Sequence, residues 1–302
     1  MLTRTRLKVL VPALALVVLV LYLGISLAMV YGATRPERNP FEAAPEEYGL
    51  TYEDVSFPPR DGSLTLRGWL LQGAPGAPFL IFVHGIGDQR TGNDALDLAS
   101  RLVRGDGYNV LLFDLRAQGT SDGSYVSAGQ FERYDVLGAY DFLLSRGAKP
   151  GEVGLIGRSY GAATSIMAAA LEPGIAAVVA DSPFADVRDR IVKETARKTP
   201  IPEGLVPVFL PPATLFADLL YDIDLNNLQP ERDVAKLDYP VLIIHGEADT
   251  RVPPEEGRRV YEAAPAGSQW WSLPGVTHAQ GFQTNPDEYV RRVAAYLSTR
   301  FD

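Results

Sequence analysis

The stretch Val153-Gly154-Leu155-Ile156-Gly157-Arg158-Ser159-Tyr160-Gly161 decides how this 302-residue chain is read. It opens on a short apolar run and leads into an alanine-rich run of helical composition, residues 160–171. A serine with glycines two positions before and two after it, between a buried strand and a helix, marks a sharp strand-to-helix elbow. The glycines let the chain turn without a Cβ in the way. The elbow lifts the Ser159 hydroxyl above the sheet edge and points the helix N-terminus at the reacting group. A free serine is a poor nucleophile, so the reading requires a base and an orienting acid further along.

Only three histidines compete for the role of base. His84 ends the apolar run 79–83 and His245 ends the run 241–244. Each precedes a glycine, where packing and turn formation account for it. His278 lies in Pro274-Gly275-Val276-Thr277-His278-Ala279, after an expected strand at 269–273 and before the final helix. A loop position lets an imidazole reach the serine, so His278 is the expected base. The expected acid is Asp249, which follows an apolar strand in His245-Gly246-Glu247-Ala248-Asp249. Its task is to fix the imidazole tautomer and stabilise the imidazolium. Glu247 is the competing acid, and Asp181 reads as a structural turn residue in Asp181-Ser182-Pro183. Acyl transfer also needs oxyanion donors. The expected pair is the N–H of Tyr160 and that of Ile86, in His84-Gly85-Ile86-Gly87-Asp88.

Taken in order, these segments resemble the α/β-hydrolase superfamily, and most of all its bacterial membrane-associated serine hydrolases of the dipeptidyl-peptidase and "hydrolase-4" type. Asp114-Leu115-Arg116-Ala117-Gln118-Gly119-Thr120-Ser121-Asp122-Gly123 and Asp181-Ser182-Pro183-Phe184 belong to the same match, which covers about residues 50–302. Ala117 stands where relatives usually carry the first glycine of that segment. The resemblance implies an α/β fold, a mostly parallel sheet with helices on both faces, and the Ser159–Asp249–His278 triad. It implies no particular substrate, because the fold hosts many chemistries.

The rest of the chain fits that class. Residues 51–57 and 64–71 read as an antiparallel hairpin at the sheet edge, with 60–63 as the turn. Strands at 79–83, 109–113, 153–156 and 175–180 then alternate with helices at 94–103, 131–145 and 160–171. The alternation breaks at 184–237, where a cap insertion is expected with helices at 187–199 and 213–221. Between them, residues 200–212 are apolar and proline-rich, and are expected to be stiff without forming a regular helix. The cap either lines an apolar substrate pocket and meets the bilayer, or packs on the sheet without touching substrate.

The chain has no cysteine, which excludes disulfides, zinc–thiolate sites, a lipidated N-terminal cysteine and a cysteine nucleophile. Its net charge is −9 and it has no basic block, which argues against nucleic acid as a partner. Residues 9–31 carry no charge; these 23 residues span about 34 Å as a helix, enough to cross a hydrocarbon core of about 30 Å. Arg4, Arg6 and Lys8 precede them and place the N-terminus in the cytoplasm. The expected organisation is a transmembrane anchor at 1–34, a linker at 35–50 and a hydrolase domain at 51–302 outside the cytoplasm. A cleaved signal peptide ending at Ser26-Leu27-Ala28, with a secreted product, is the alternative.

The expected activity is cleavage of a small acyl substrate, an ester, thioester or amide, through an acyl-enzyme and without metal or organic cofactor. A carboxylesterase comes first, and a serine peptidase or perhydrolase are the variants. The rival from another class is a non-catalytic membrane-tethered binding module. Oligomeric state stays open.

Overall fold

The computed structural model describes residues 4–41, 43–62 and 64–301. Residue 63 of the expected hairpin turn lies outside them, as do the side chains of Arg4 and Arg6. Eight apolar runs become strands: β1 (Tyr52–Phe57), β2 (Leu66–Leu71), β3 (Phe79–Val83), β4 (Asn109–Phe113), β5 (Val153–Arg158), β6 (Ile175–Asp181), β7 (Leu242–Gly246) and β8 (Gln269–Leu273). They form one sheet in the order β1-β2-β4-β3-β5-β6-β7-β8. The β1–β2 and β2–β4 pairs are antiparallel and the other five are parallel. This is the α/β-hydrolase fold, with the antiparallel hairpin at one edge.

The strands are apolar on both sides because both faces are covered. In β3, Ile81 and Val83 enter the core on one face, while Leu80 and Phe82 enter the core on the other. β4 repeats the alternation with Leu111 and Phe113 against Val110 and Leu112. The helices are α1 (Arg4–Thr34), α2 (Ala95–Asp106), α3 (Glu132–Ser145), α4 (Tyr160–Ala169), α5 (Val187–Lys198), α6 (Val206–Tyr221), α7 (Pro230–Val234), α8 (Pro254–Ala263), α9 (Gly281–Thr284) and α10 (Pro286–Ser298), of which α2, α3, α4, α8, α9 and α10 cover the sheet while α1 packs on α6. The buried, small-residue helix α4 lies directly after β5 and packs on the β5–β6 pair.

Two expectations change. The run 200–212 is not excluded from helix: α6 starts at Val206 and contains both Pro211 and Pro212. Pro212 has no N–H to give to the carbonyl of Val208, four residues back. The hydroxyl of Tyr22, on α1, donates to that carbonyl at 2.9 Å. The Ser26 hydroxyl donates to the next carbonyl, Phe209, at 3.0 Å. A donor from a remote helix thus satisfies the carbonyl that Pro212 leaves without one.

The segment expected as a linker is also docked on the domain. Arg38 donates to the carbonyls of Gly119, Ser121 and Gly123 at 2.8, 2.9 and 3.0 Å. A short 3-10 turn, Pro45–Tyr48, follows before β1.

Candidate active site

Ser159 sits between β5 and α4 with φ 53° and ψ −117°, a backbone conformation that L-residues avoid. The surroundings enforce it. A Cβ on Gly157 would collide with the backbone of Gly161 and Ala162, and one on Gly161 with the carbonyl oxygens of Val83 and His84. Both glycines of the elbow are therefore required by close backbone approach. The Ser159 N–H donates to the Asp181 carbonyl at 2.7 Å, which ties the elbow to β6.

The loops after β7 and β8 meet at the same sheet edge. Ala248 N–H donates to the Val276 carbonyl at 3.0 Å, and Gly246 packs against that carbonyl with no room for a side chain. The Ala279 N–H donates to the Ser182 hydroxyl, which donates to Asp181 at 3.0 Å. Asp181 also accepts from the Tyr289 hydroxyl at 3.0 Å. Asp181 is thus a buried brace under the loop that carries His278.

These braces bring the three expected residues together. His278 Nε2 is 2.7 Å from Ser159 Oγ, and His278 Nδ1 is 2.7 Å from Asp249 Oδ2. Asp249 has no exposed side-chain surface, and its Oδ1 accepts the N–H groups of Arg251 and Val252 at 2.9 and 2.8 Å. Burial pushes the Asp249 carboxyl up. Hydrogen bonds from His245 and His278 and the Val252 N–H outweigh that, and hold it well below the usual carboxylate range. An ionised Asp249 accepts from Nδ1–H, so the lone pair of Nε2 faces the Ser159 hydroxyl, which donates. A proton can leave Ser159 along that line as the hydroxyl attacks.

The competing acid, Glu247, points elsewhere and accepts from the Ser272 hydroxyl at 2.8 Å. His84 is structural: its Nε2 accepts from the Leu115 N–H at 3.0 Å and its Nδ1 donates to the Gly85 carbonyl at 2.8 Å. That pair of bonds fastens the loop containing Ile86 to the end of β4. The loop lies beside the elbow, since a Cβ on Gly85 would be 3.8 Å from Ser159 Cβ. Among the described residues, the N–H groups of Ile86 and Tyr160 have no acceptor within the chain. Both are free to bind an oxygen carried by a ligand.

His245 has more contact with the site than its sequence position signals. Its Nε2 donates to the Val252 carbonyl at 2.9 Å and stands 3.4 Å from Asp249 Oδ2. It is fully buried beside the carboxylate. Only its spacing, four residues before Asp249, could have pointed to it. Two surface hollows of about 520 and 450 Å³ flank β1, and none of Ser159, His278 and Asp249 lines them. Among the described residues, no group of three or more His, Asp or Glu side chains is disposed to hold a metal ion.

Comparison with known proteins gives the same fold. The family model of the X-Pro dipeptidyl-peptidases (S15 family) matches residues 45–199. The Pyrococcus furiosus esterase Pf2001 superposes over 89% of this chain and 100% of its own, with a TM-score of 0.73 and 25% identity. The Bacillus subtilis protein YqkD is 27% identical over 65% of this chain and 64% of its own length. The lysophosphatidylserine lipase ABHD12 of Danio rerio is 30% identical over 62% of this chain and 47% of its own. The chain thus spans about half to two thirds of these two relatives.

Proposed function

From the premise that the chain belongs to the X-Pro dipeptidyl-peptidase (S15) family and is a serine hydrolase of α/β-hydrolase fold, we propose that Ser159, His278 and Asp249 are its catalytic triad and an acyl ester its substrate. The observation that carries this reading is the continuous line of two 2.7 Å contacts from Ser159 Oγ through the imidazole to Asp249. Ser159 attacks the acyl carbonyl while Nε2 of His278 takes its proton. The N–H groups of Ile86 and Tyr160 receive the oxyanion. His278 then protonates the leaving oxygen, and a water activated by the same imidazole releases the acid. Asp249 stays ionised throughout and stabilises the imidazolium.

An ester is favoured over a peptide by the apolar cap and by the esterase likeness, which runs the full length of the Pyrococcus protein. The name of the zebrafish relative adds lysophospholipid esters to the candidates. The peptidase reading is kept open by the family match itself. We further read α1 as a single-pass anchor in the cell membrane, with the domain outside the cytoplasm. Its support is an apolar helix, Lys8–Thr34, long enough to cross a bilayer. The non-catalytic alternative predicts no covalent chemistry at Ser159.

A fluorophosphonate probe labels the purified full chain and fails to label Ser159→Ala. No labelling of the native chain returns the binding-module reading. Acyl esters, lysophospholipids and X-Pro anilides tested side by side then separate esterase from peptidase. Turnover of the anilides alone overturns the ester assignment.

A further inference from the structure

Two uncovered apolar surfaces meet where α1 touches α6. On α1, the run from Val9 to Leu21 is exposed throughout. One stripe of its C-terminal half is covered: Ser26, Val30 and Thr34, spaced by four, are buried, and Tyr22 is half-buried, while Leu23, Ile25, Leu27 and Tyr31 on the other faces stay exposed. The partner of that stripe is α6, in the most extensive helix–helix contact of the described residues. Besides the two hydroxyl-to-carbonyl bonds, the rings of Tyr22 and Phe209 lie 5.7 Å apart.

The helices run in the same direction. The first turn of α6 lies beside Tyr22. At its other end, Tyr221 packs on Tyr125 at 4.9 Å, and the adjacent Val126 N–H donates to the Thr34 carbonyl at 2.8 Å. Val208 is thus level with Tyr22, and Tyr221 with Thr34. Away from α1, Leu205, Val208, Leu215 and Leu219 of this region are each more than half exposed. From Val206 to Tyr221 the single charged residue is Asp218.

Length now decides where α6 lies. The part of α1 exposed on every face, residues 9–21, rises only about 20 Å, against a hydrocarbon core of about 30 Å. The missing ~10 Å is about seven residues starting at Tyr22, the stretch along which α6 is packed. We propose that α6 is a second bilayer contact: its N-terminal half is immersed in the leaflet that α1 leaves, with Leu205, Val208 and Leu215 against acyl chains and Leu219 at headgroup level. This rests on the reading of α1 as the anchor. The one charge carried in with the tip is Glu203, in the first turn of a helical segment, where the backbone dipole favours an anion. Lys193, Arg197 and Lys198 on α5 are partly exposed next to that tip, each paired with a carboxylate, Glu256 for the first and Glu194 for the other two.

The absence of cysteine makes the test direct. Single substitutions Leu16→Cys, Val208→Cys, Leu215→Cys, Leu219→Cys and Lys149→Cys in the full chain are labelled with an environment-sensitive fluorophore. They are reconstituted in phosphatidylethanolamine–phosphatidylglycerol vesicles containing nitroxide phospholipids, and thermal melts confirm that each is folded. The labels at 16, 208 and 215 should shift to the blue and lose more than half their emission to acyl-chain nitroxides. The label at 219 should respond mainly to nitroxides near the headgroup, and that at 149 only to aqueous iodide. Quenching at 16 with iodide-accessible labels at 208 and 215 overturns the proposal and leaves the anchor standing. No lipid quenching at 16 overturns both. Labels at 208 and 215 shielded from lipid and iodide alike overturn it in favour of a protein partner or a second copy. Deeper burial at 219 than at 208 overturns the direction of insertion.

Discussion

The elbow at Ser159 and the proline-bearing start of α6 both hold a backbone that their own residues disfavour, yet they are supported in opposite ways. The elbow is braced by neighbouring backbone of the sheet: Val83, His84 and Asp181 surround it, and glycines make the approach possible. α6 is braced by side-chain hydroxyls of α1, more than 180 positions earlier in the chain. The first support is internal to the hydrolase domain. The second is external to it, and so the cap depends on α1 in a way the triad does not.

The strongest way to break this contrast is at Gly161. Gly161→Ala places a methyl inside the carbonyls of Val83 and His84, rigid backbone that cannot move aside. A cost of at least about 1–3 kcal/mol is expected, together with displacement of Ser159 and loss of most turnover. Thermal melts and ester turnover check both. A variant with native activity would show that the elbow is not braced as described.

The pH dependence sharpens the other half. The Asp249 carboxyl, held well below its usual range, is ionised at neutral pH. A depressed carboxyl stabilises the folded chain above its unfolded value of about 3.9, and that stability is lost as pH falls below it. Denaturation midpoints should therefore hold down to about pH 4 and fall in stronger acid. In Asp249→Asn, the acid-range loss should shrink. An unchanged acid-range loss in that variant would show that Asp249 is not the buried, ionised carboxylate described.

A smaller effect is expected from Tyr22→Phe combined with Ser26→Ala. Removing the donors to Val208 and Phe209 should cost about 1 kcal/mol per bond, felt in α6 alone. Amide exchange should speed up through Val206–Tyr221 while fluorophosphonate labelling at Ser159 keeps its rate. Equal loosening of α4 would mean that cap and elbow share one support.

The smallest effect belongs to Ala117, which adopts φ 59° at a place where relatives carry glycine. Ala117→Gly relieves a left-handed conformation that costs roughly 1–2 kcal/mol, offset in part by the greater freedom of the unfolded glycine. A gain of up to about 1 kcal/mol in chemical denaturation is expected, with no change in turnover.

What was legible beforehand follows the same division. The strands, the elbow and the order Ser159, Asp249, His278 could be read because each is a local pattern, an apolar run ending in a glycine or a polar residue. The helix through Pro211 and Pro212 could not, because what sustains it is a tyrosine and a serine in a segment that reads as uniform apolar helix. Tyr22 and Ser26 do share the four-residue spacing of a helix face, yet two such residues do not say which partner that face meets. His245 was missed for a related reason. A histidine at a strand end looks like packing, and its proximity to Asp249 exists only after the loop from Glu247 to Val252 has folded back over it. Arg38 likewise gave no sign that its guanidinium would gather the carbonyls of one distant loop.

That clamp has a mechanical consequence. With Arg38 seated on Gly119, Ser121 and Gly123, and Asn39 donating to the Gly87 carbonyl beside Ile86, the strap leaving α1 has no slack. The hydrolase body cannot swing on a leash. The edge that carries Ser159 keeps a set bearing relative to the end of α1.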